Sequence, residues 1–199
     1  MAQAAADSGD PGAGIADPEF AVKAKEGRLG EIRRCIACTR CIDEAGEPAL
    51  IPYAPTCSIN PVIGNELRWK EEYRPAARSR RVLVVGGGLA GCEAARVARL
   101  RGHQVTLLEQ GRRLGGQLLL AARAPGRDSF EDQIYFEENT LSRLGVEVRL
   151  ETGADLATIK RLAPEVVVVA TGSTPRTPDD VQGIDAPQVV QGWEVLGGN

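Results

Sequence analysis

The 199-residue chain has no long run of Lys or Arg: 24 basic residues stand against 27 acidic ones, for a formal charge of −3. Nothing in it could neutralise a phosphate backbone over many contacts, so nucleic acid is not an expected partner. Long hydrophobic runs are also missing. The longest, Val82 to Val85 and Val166 to Ala170, fall far short of a membrane span, and no basic-then-apolar signal pattern opens the chain. A cytoplasmic protein without membrane contact is expected. Histidine occurs once, as His103, in a turn between a helix and a strand, where a solvated polar role is the plain expectation. What the chain does have is 43% hydrophobic residues, enough for one large core and a smaller appendage, and five cysteines, four of them clustered. Clustering and an odd count suit metal ligation in a reducing compartment better than a disulfide framework.

Residues 1–16 are mostly Ala, Gly and Asp without periodicity, and read as a loose arm. Asp17-Pro18 can open a helix that stops near Gly27, and a short turn from Leu29 to Arg34 would deliver Cys35. From Asp43 to Pro61 several Pro and Gly residues interrupt any pattern, as in a loop held by metal rather than by a core. Residues 17–69 form one segment on this reading, and residues 70–80 a polar linker. From residue 81 to 199 strands and helices alternate. Strands are expected at Arg81–Val85, Gln104–Leu108, Val146–Leu150 and, centrally, Val166–Ala170. Helices are expected at Leu89–Arg101, from Asp128 or Ser129 to Gly145, and around Leu156, Ile159 and Leu162 up to Pro164. The fold class is α/β, a Rossmann-like dinucleotide-binding domain with a parallel sheet behind a small loop-rich segment.

Cys35, Cys38 and Cys41 form CxxCxxC, with Cys57 as a distant fourth. Thiolates two residues apart can turn back onto one inorganic core, so three would hold three irons and Cys57 the fourth of an iron-sulfur cluster. Zinc is the rival, although its structural sites usually come as two separated pairs, and unliganded thiols are the bland alternative. The second motif is Gly86-Gly87-Gly88-Leu89-Ala90-Gly91, a GxGxxG between a strand and a helix. Gly86 permits the tight turn, Gly88 lets backbone approach a pyrophosphate, and Gly91 allows close helix-strand contact, with Leu89 and Ala90 opening the helix toward the anion. Glu109, with Gln110 beside it, ends the second strand where a carboxylate accepts hydrogen bonds from an adenosine ribose. A ligand-free strand-helix turn is the alternative. Cys92 reads as a small buried packing residue, and Glu137 and Glu138 as the wet face of a helix. For Trp69 and Trp193, packing and interface roles are both open, and no catalytic side chain is assigned.

Several stretches in order, ADPEFAVKAKEGRLGEIRRCIACTRC, PTCSINPVIGNE, VLVVGGGLAGCEAARVARLRGHQVTLLE, LGGQLLLAARAPGR and VVVATGSTP, make the chain resemble the iron-sulfur flavoenzymes related to trimethylamine dehydrogenase and 2,4-dienoyl-CoA reductase. The resemblance implies a 4Fe-4S cluster on the four cysteines and FAD, or a structural ADP, from Arg81 onward. It places Gly115, Gly116 and Gln117 along the nucleotide and Ala170, Thr171 and Gly172 beneath it; by themselves these glycines could be ordinary turns. Family members carry an FMN-binding (β/α)8 barrel before the cluster and a pyridine-nucleotide fold after the ATG segment. Neither is expected in these 199 residues. The implied function is an electron-transfer component of a flavin-dependent oxidoreductase, with a barrel subunit and another redox partner in trans. A non-catalytic module stapled by cluster and ADP, or a fragment of a longer NAD(P)H:flavin oxidoreductase, are the alternatives.

Overall fold

The computed structural model of the chain describes residues 11–46 and 56–198. Its N-terminal segment holds α1 (Pro11–Ala16), α2 (Phe20–Lys25), a 3-10 turn at Leu29–Glu31, α3 (Arg40–Gly46) and α4 (Glu66–Glu72). Residues 11–16, expected to belong to a loose arm, are helical instead. The Asn60 side-chain amide donates to the Ile15 carbonyl at 2.8 Å and Ala16 is buried, so docking offsets the entropy of ordering this Gly- and Ala-rich stretch. The rest of that arm, residues 1–10, lies outside the described residues. The helix expected to open at Asp17-Pro18 begins at Phe20 instead, with Glu19 at its N-cap; Asp17 accepts the Glu19 N–H at 3.0 Å in the turn that leads into it. The loop expected after Asp43 is helical as far as Gly46, and residues 47–55 lie outside the described residues.

The remainder is a parallel sheet with helices. Strand β1 (Arg81–Val85) is central; β2 (Gln104–Leu108) and β4 (Val166–Val169) flank it, and β3 (Glu147–Arg149) lies outside β2. The order β3-β2-β1-β4 is parallel throughout, with Val84 opposite Leu107 on one side and Val168 on the other. Between the strands run α5 (Leu89–Leu100), α6 (Leu118–Ala121), α7 (Ser129–Arg143) and α8 (Leu156–Leu162), and α9 (Gly192–Gly197) ends the described chain. The α/β expectation holds. Its core joins Val82, Val84, Val105 and Leu107 of the sheet to Cys92 and Ala95 of α5 and Leu141 of α7. Helix α8 is capped by Asp155, whose side chain accepts the Thr158 N–H at 2.7 Å, and it ends in a left-handed Ala163 before Pro164.

One strand differs from its expected place. Val166–Val169, a continuous apolar run, reads as a buried central strand but is the sheet's edge. Val166 and Val168 pack on the core, whereas Val167 is exposed and Val169 is 74% exposed. The same apolar run thus serves two environments, because only one face of β4 is covered among the described residues.

The polar stretch after α4 is docked onto the sheet domain. Tyr73 lies 5.2 Å from the Trp69 ring and accepts from Arg96 at 3.0 Å, Ala76 N–H donates to Arg101 O at 2.9 Å, and Arg78 pairs with Glu165 at 3.0 Å.

Candidate functional site

At the carboxyl edge of the sheet, β1 runs into the glycine-rich turn and the turn into α5. Gly86 sits at φ +107° and donates its N–H to the Leu108 carbonyl at 2.8 Å. A Cβ there would lie 2.3 Å from the Ala170 carbonyl oxygen, and one on Gly91 would lie 1.9 Å from that of Gly86. Both glycines are required by the fold itself. Gly88 is different: its backbone is extended at φ −71° and ψ 176°, which any residue adopts, and a Cβ there meets nothing nearer than the Gly116 Cα at 4.0 Å. Among the described residues no neighbour demands a bare backbone at Gly88. Beyond it, Leu89 and Ala90 expose the first turn of α5, whose leading N–H groups have no intrahelical acceptor.

The other predicted residues meet on this edge. Glu109 accepts the Gly87 N–H on Oε2 and the Gly111 N–H on Oε1, each at 2.6 Å, which fixes its carboxylate beside the turn. Each oxygen keeps further acceptor capacity for a hydroxyl. Gln110 follows it, exposed. Gly115 donates to the Gly87 carbonyl at 2.8 Å and bridges to Gly88, so Gly116, left-handed at φ +53°, comes up against the cradle. Gln117 donates from Nε2 to the Ser173 carbonyl at 2.9 Å, tying α6 to the segment Ala170-Thr171-Gly172 that leaves β4. Ala170 N–H donates to Val85 O at 2.8 Å and holds that segment against the turn. Sequence reasoning left out Ser173, whose partner 56 residues away no local pattern announces.

The four clustered cysteines are all half-buried, and none is in a disulfide. They sit on two loops that touch: Cys38 Sγ lies 3.3 Å from Ser58 Oγ, and Arg40 Nε donates to Thr56 Oγ1 at 2.8 Å, bringing the Cys57 loop against CxxCxxC. Ala37 and Thr39 are left-handed at φ 50° and 61°, alternating with the cysteines, and Ala37 N–H points at Cys35 Sγ from 3.4 Å. Partial burial pushes the Cys38 thiol up, but hydrogen bonds from Ser58 and from backbone N–H groups outweigh it and leave the thiol below its ordinary value. Among the described residues, however, no group of three or more Cys, His, Asp or Glu converges as metal ligands.

Between these sites lies a buried charged layer. Glu137 was expected on the wet face of its helix with Glu138, but it is only 4% exposed. The stripe that seats Ile134 and Leu141 on α7 also carries Gln133 and Glu137 inward, toward α5. Gln133 Nε2 donates to Glu137 Oε1 at 2.7 Å, and Oε2 has no hydrogen-bond partner among the described residues. Burial first, then repulsion from Glu93, pushes the Glu137 carboxyl up to about 7 against the pull of Arg33 and Arg96. Its neighbour Arg33 stacks on Phe136 at 4.7 Å, with desolvation and then Arg96 lowering it. Cys92 is fully buried, as expected, and burial followed by repulsion from Glu137 holds its thiol far above the ordinary range. His103 accepts the Arg80 N–H at 3.2 Å in its turn, a structural role.

A parallel sheet with a bare-backbone turn, a helix N-terminus and a fixed carboxylate on one edge defines a dinucleotide-binding domain. The family model for pyridine nucleotide-disulphide oxidoreductases matches residues 56–158 and 80–196, and the chain belongs to that family. It is similar to the NADH oxidase of Thermoanaerobacter brockii, 45% identical over 186 residues, which cover 92% of this chain and 28% of the relative. It is also similar to the N,N-dimethylglycine/sarcosine dehydrogenase of Chromohalobacter salexigens, 39% identical over 92% of this chain and 27% of the relative. Among solved structures, a 2-naphthoyl-CoA reductase superposes with a TM-score of 0.81 at 36% identity, covering 94% of this chain and 28% of that one. The chain therefore spans little more than a quarter of the length of these relatives. The expectation of a flavin-dependent oxidoreductase family is met at that level.

Proposed function

We propose that the chain is the electron-transfer portion of a flavin-dependent oxidoreductase, with FAD on the cradle at the carboxyl edge of the sheet and a 4Fe-4S cluster on Cys35, Cys38, Cys41 and Cys57. The observation that carries the nucleotide is Gly88: its missing side chain answers no neighbour among the described residues, and a ligand that approaches the backbone there would explain it. The pyrophosphate would rest against Gly88, Leu89 and Ala90 at the start of α5, and the ribose hydroxyls would be received by Glu109. Gly116, Gln117 and the Ala170-Thr171-Gly172 segment line the path onward. The cysteines fit a cluster in donor chemistry: half-buried thiols on touching loops, one with a lowered pKa, and backbone N–H groups turned toward sulfur by left-handed Ala37 and Thr39. Flavin and cluster, when bound, supply the exchange of electrons in twos and ones. The protein's part is to hold the two groups on either side of α7. Redox partners, including an FMN-binding barrel of the kind the resemblance implies, complete the catalytic machine on the same polypeptide or on another.

A second reading, a module stapled by a cluster and ADP, shares the carrying observation, because Gly88 and Glu109 address only the adenosine diphosphate half of a dinucleotide. One experiment separates them. Chain purified without oxygen is assayed for iron and sulfide, and its nucleotide is extracted and identified. About four iron and four sulfide per chain with bound FAD support the proposal. ADP without flavin favours the staple, and a folded sample with neither iron nor nucleotide overturns both.

A further inference from the structure

Where the N-terminal segment meets α5 and α7, a cleft of about 230 Å³ opens. None of the residues that line it belongs to the glycine-rich cradle or to the four clustered cysteines. Its walls carry the cations Lys23, Arg33, Arg96 and Arg143 and the carboxylates Asp17, Glu19 and Glu31, and these are unevenly matched. Lys23 pairs with Asp17 at 2.8 Å and with Glu19 at 3.4 Å, Arg143 pairs with Glu31, and Arg96 pairs with Glu93 at 2.6 Å. Arg33 is the one cation of the four that forms no ion pair among the described residues. Its Nε is buried without a hydrogen-bond partner there, and its Nη1 reaches Asn60 Oδ1 at 3.5 Å. Glu93, Glu137 and Asp17 attract the guanidinium through space, while Arg96 repels it.

We propose that this cleft binds a short-chain carboxylate, with its oxygens toward Arg33 and its hydrocarbon end against Leu100 and Leu144. A largely buried guanidinium without a paired carboxylate carries a desolvation cost that a bound carboxylate offsets, and the planar fork suits two oxygens of one group. Size and charge narrow the class of ligand. The volume is that of roughly eight liquid waters, which admits a small acid and excludes a nucleotide. One unpaired guanidinium calls for one negative charge; a phosphate dianion would carry a second, facing Asp17, Glu19 and Glu31 in the same walls. Leu100 and Leu144 leave apolar surface for a short chain. The site goes beyond the function proposed above and does not depend on it. A ligand held there would clamp the segment that leads into Cys35 against α5 and α7, whatever occupies the cradle.

The test is isothermal titration calorimetry of the full chain with sodium butyrate near neutral pH, at an ionic strength held constant with sodium chloride. One saturable site per chain is expected, with a dissociation constant on the order of 1 mM, and 1-butanol, the same hydrocarbon without the charge, should give no saturable heat. Two variants probe the two ends of the cleft. Arg33→Lys keeps the charge but loses the fork, and Leu100→Glu adds a negative charge at a position already 39% exposed. Each should weaken butyrate at least about tenfold while the circular dichroism stays that of the wild type. Absence of saturable heat with butyrate means that the cleft holds water and overturns the inference. Inorganic phosphate or 1-butanol binding as tightly as butyrate overturns it too, as does undiminished affinity in either folded variant. Should Arg33→Lys fail to fold, Leu100→Glu decides by the same measure.

Discussion

Two glycines three residues apart, Gly88 and Gly91, do different work. Gly91→Ala drives a Cβ onto the Gly86 carbonyl, so a loss of about 3 kcal/mol or more is expected in urea unfolding. Gly88→Ala meets only ordinary contact and restricts the unfolded chain, so its unfolding midpoint should hold or rise slightly while nucleotide affinity falls at least about tenfold, measured by calorimetric titration. Equal destabilisation in both variants would remove the reason for assigning Gly88 to a ligand. Glu137 gives a pH signature at the same scale. Its folded carboxyl titrates near 7 against an ordinary 4.5, so the stability it contributes is full below about 4.5 and is lost as pH rises through 7. Between pH 4.5 and 8 the wild type should lose about 3 kcal/mol more than Glu137→Gln, read from urea curves at both ends.

Among the elements, α7 joins the two parts of the molecule, since it packs on α5 and α6 and runs beside the cysteine segment. Leu141, fully buried in the core, makes the point: Leu141→Ala should cost about 2–5 kcal/mol by thermal or urea unfolding. Strand β4 offers a contrast within four residues. Val168→Lys would place a charge in the core and should prevent folding or cost several kcal/mol, whereas Val169→Lys on the open face should change stability by less than about 1 kcal/mol. A large effect at Val169 would mean that this face is covered. All four strands and the three longer helices between them, α5, α7 and α8, were legible in the sequence, because continuous apolar runs and 3.6-residue stripes record which side is buried; the four-residue α6 was not expected. The position of β4 at the edge was not, since an apolar strand reads alike whether it has one neighbour or two. Helix α1 was missed for a related reason: Pro-Gly-Ala-Gly-Ile-Ala has no helical signal, and only docking beside Asn60 orders it.

At the scale of the molecule, the cysteine loops and the nucleotide cradle stand on separate supports. The cradle grows out of the sheet core, while the cysteines are half-buried on loops. Cys57→Ser should therefore abolish the iron content and the cluster's part of the visible absorption of anaerobic preparations, while flavin absorption remains and the far-ultraviolet circular dichroism of the sheet domain stays within about a tenth of wild type. Collapse of the whole fold in that variant would show that the two parts are one cooperative unit.

The sequence by itself determined the alternation of strands and helices, the place of the glycine-rich turn, the carboxylate that ends β2 and the spacing of four cysteines. These are local matters, set by periodicity, by the φ values a turn demands and by ligand spacing along a chain. Only the tertiary structure decided which glycine is bare for the fold and which for a ligand, because that depends on what lies across from the Cβ. It alone brought Gln117 to Ser173 and the Cys57 loop to Cys38, and turned Glu137 inward. A carboxylate on a helix carries no local mark of its burial; that is decided by Arg33, Glu93 and Arg96, which the chain supplies from tens of residues away.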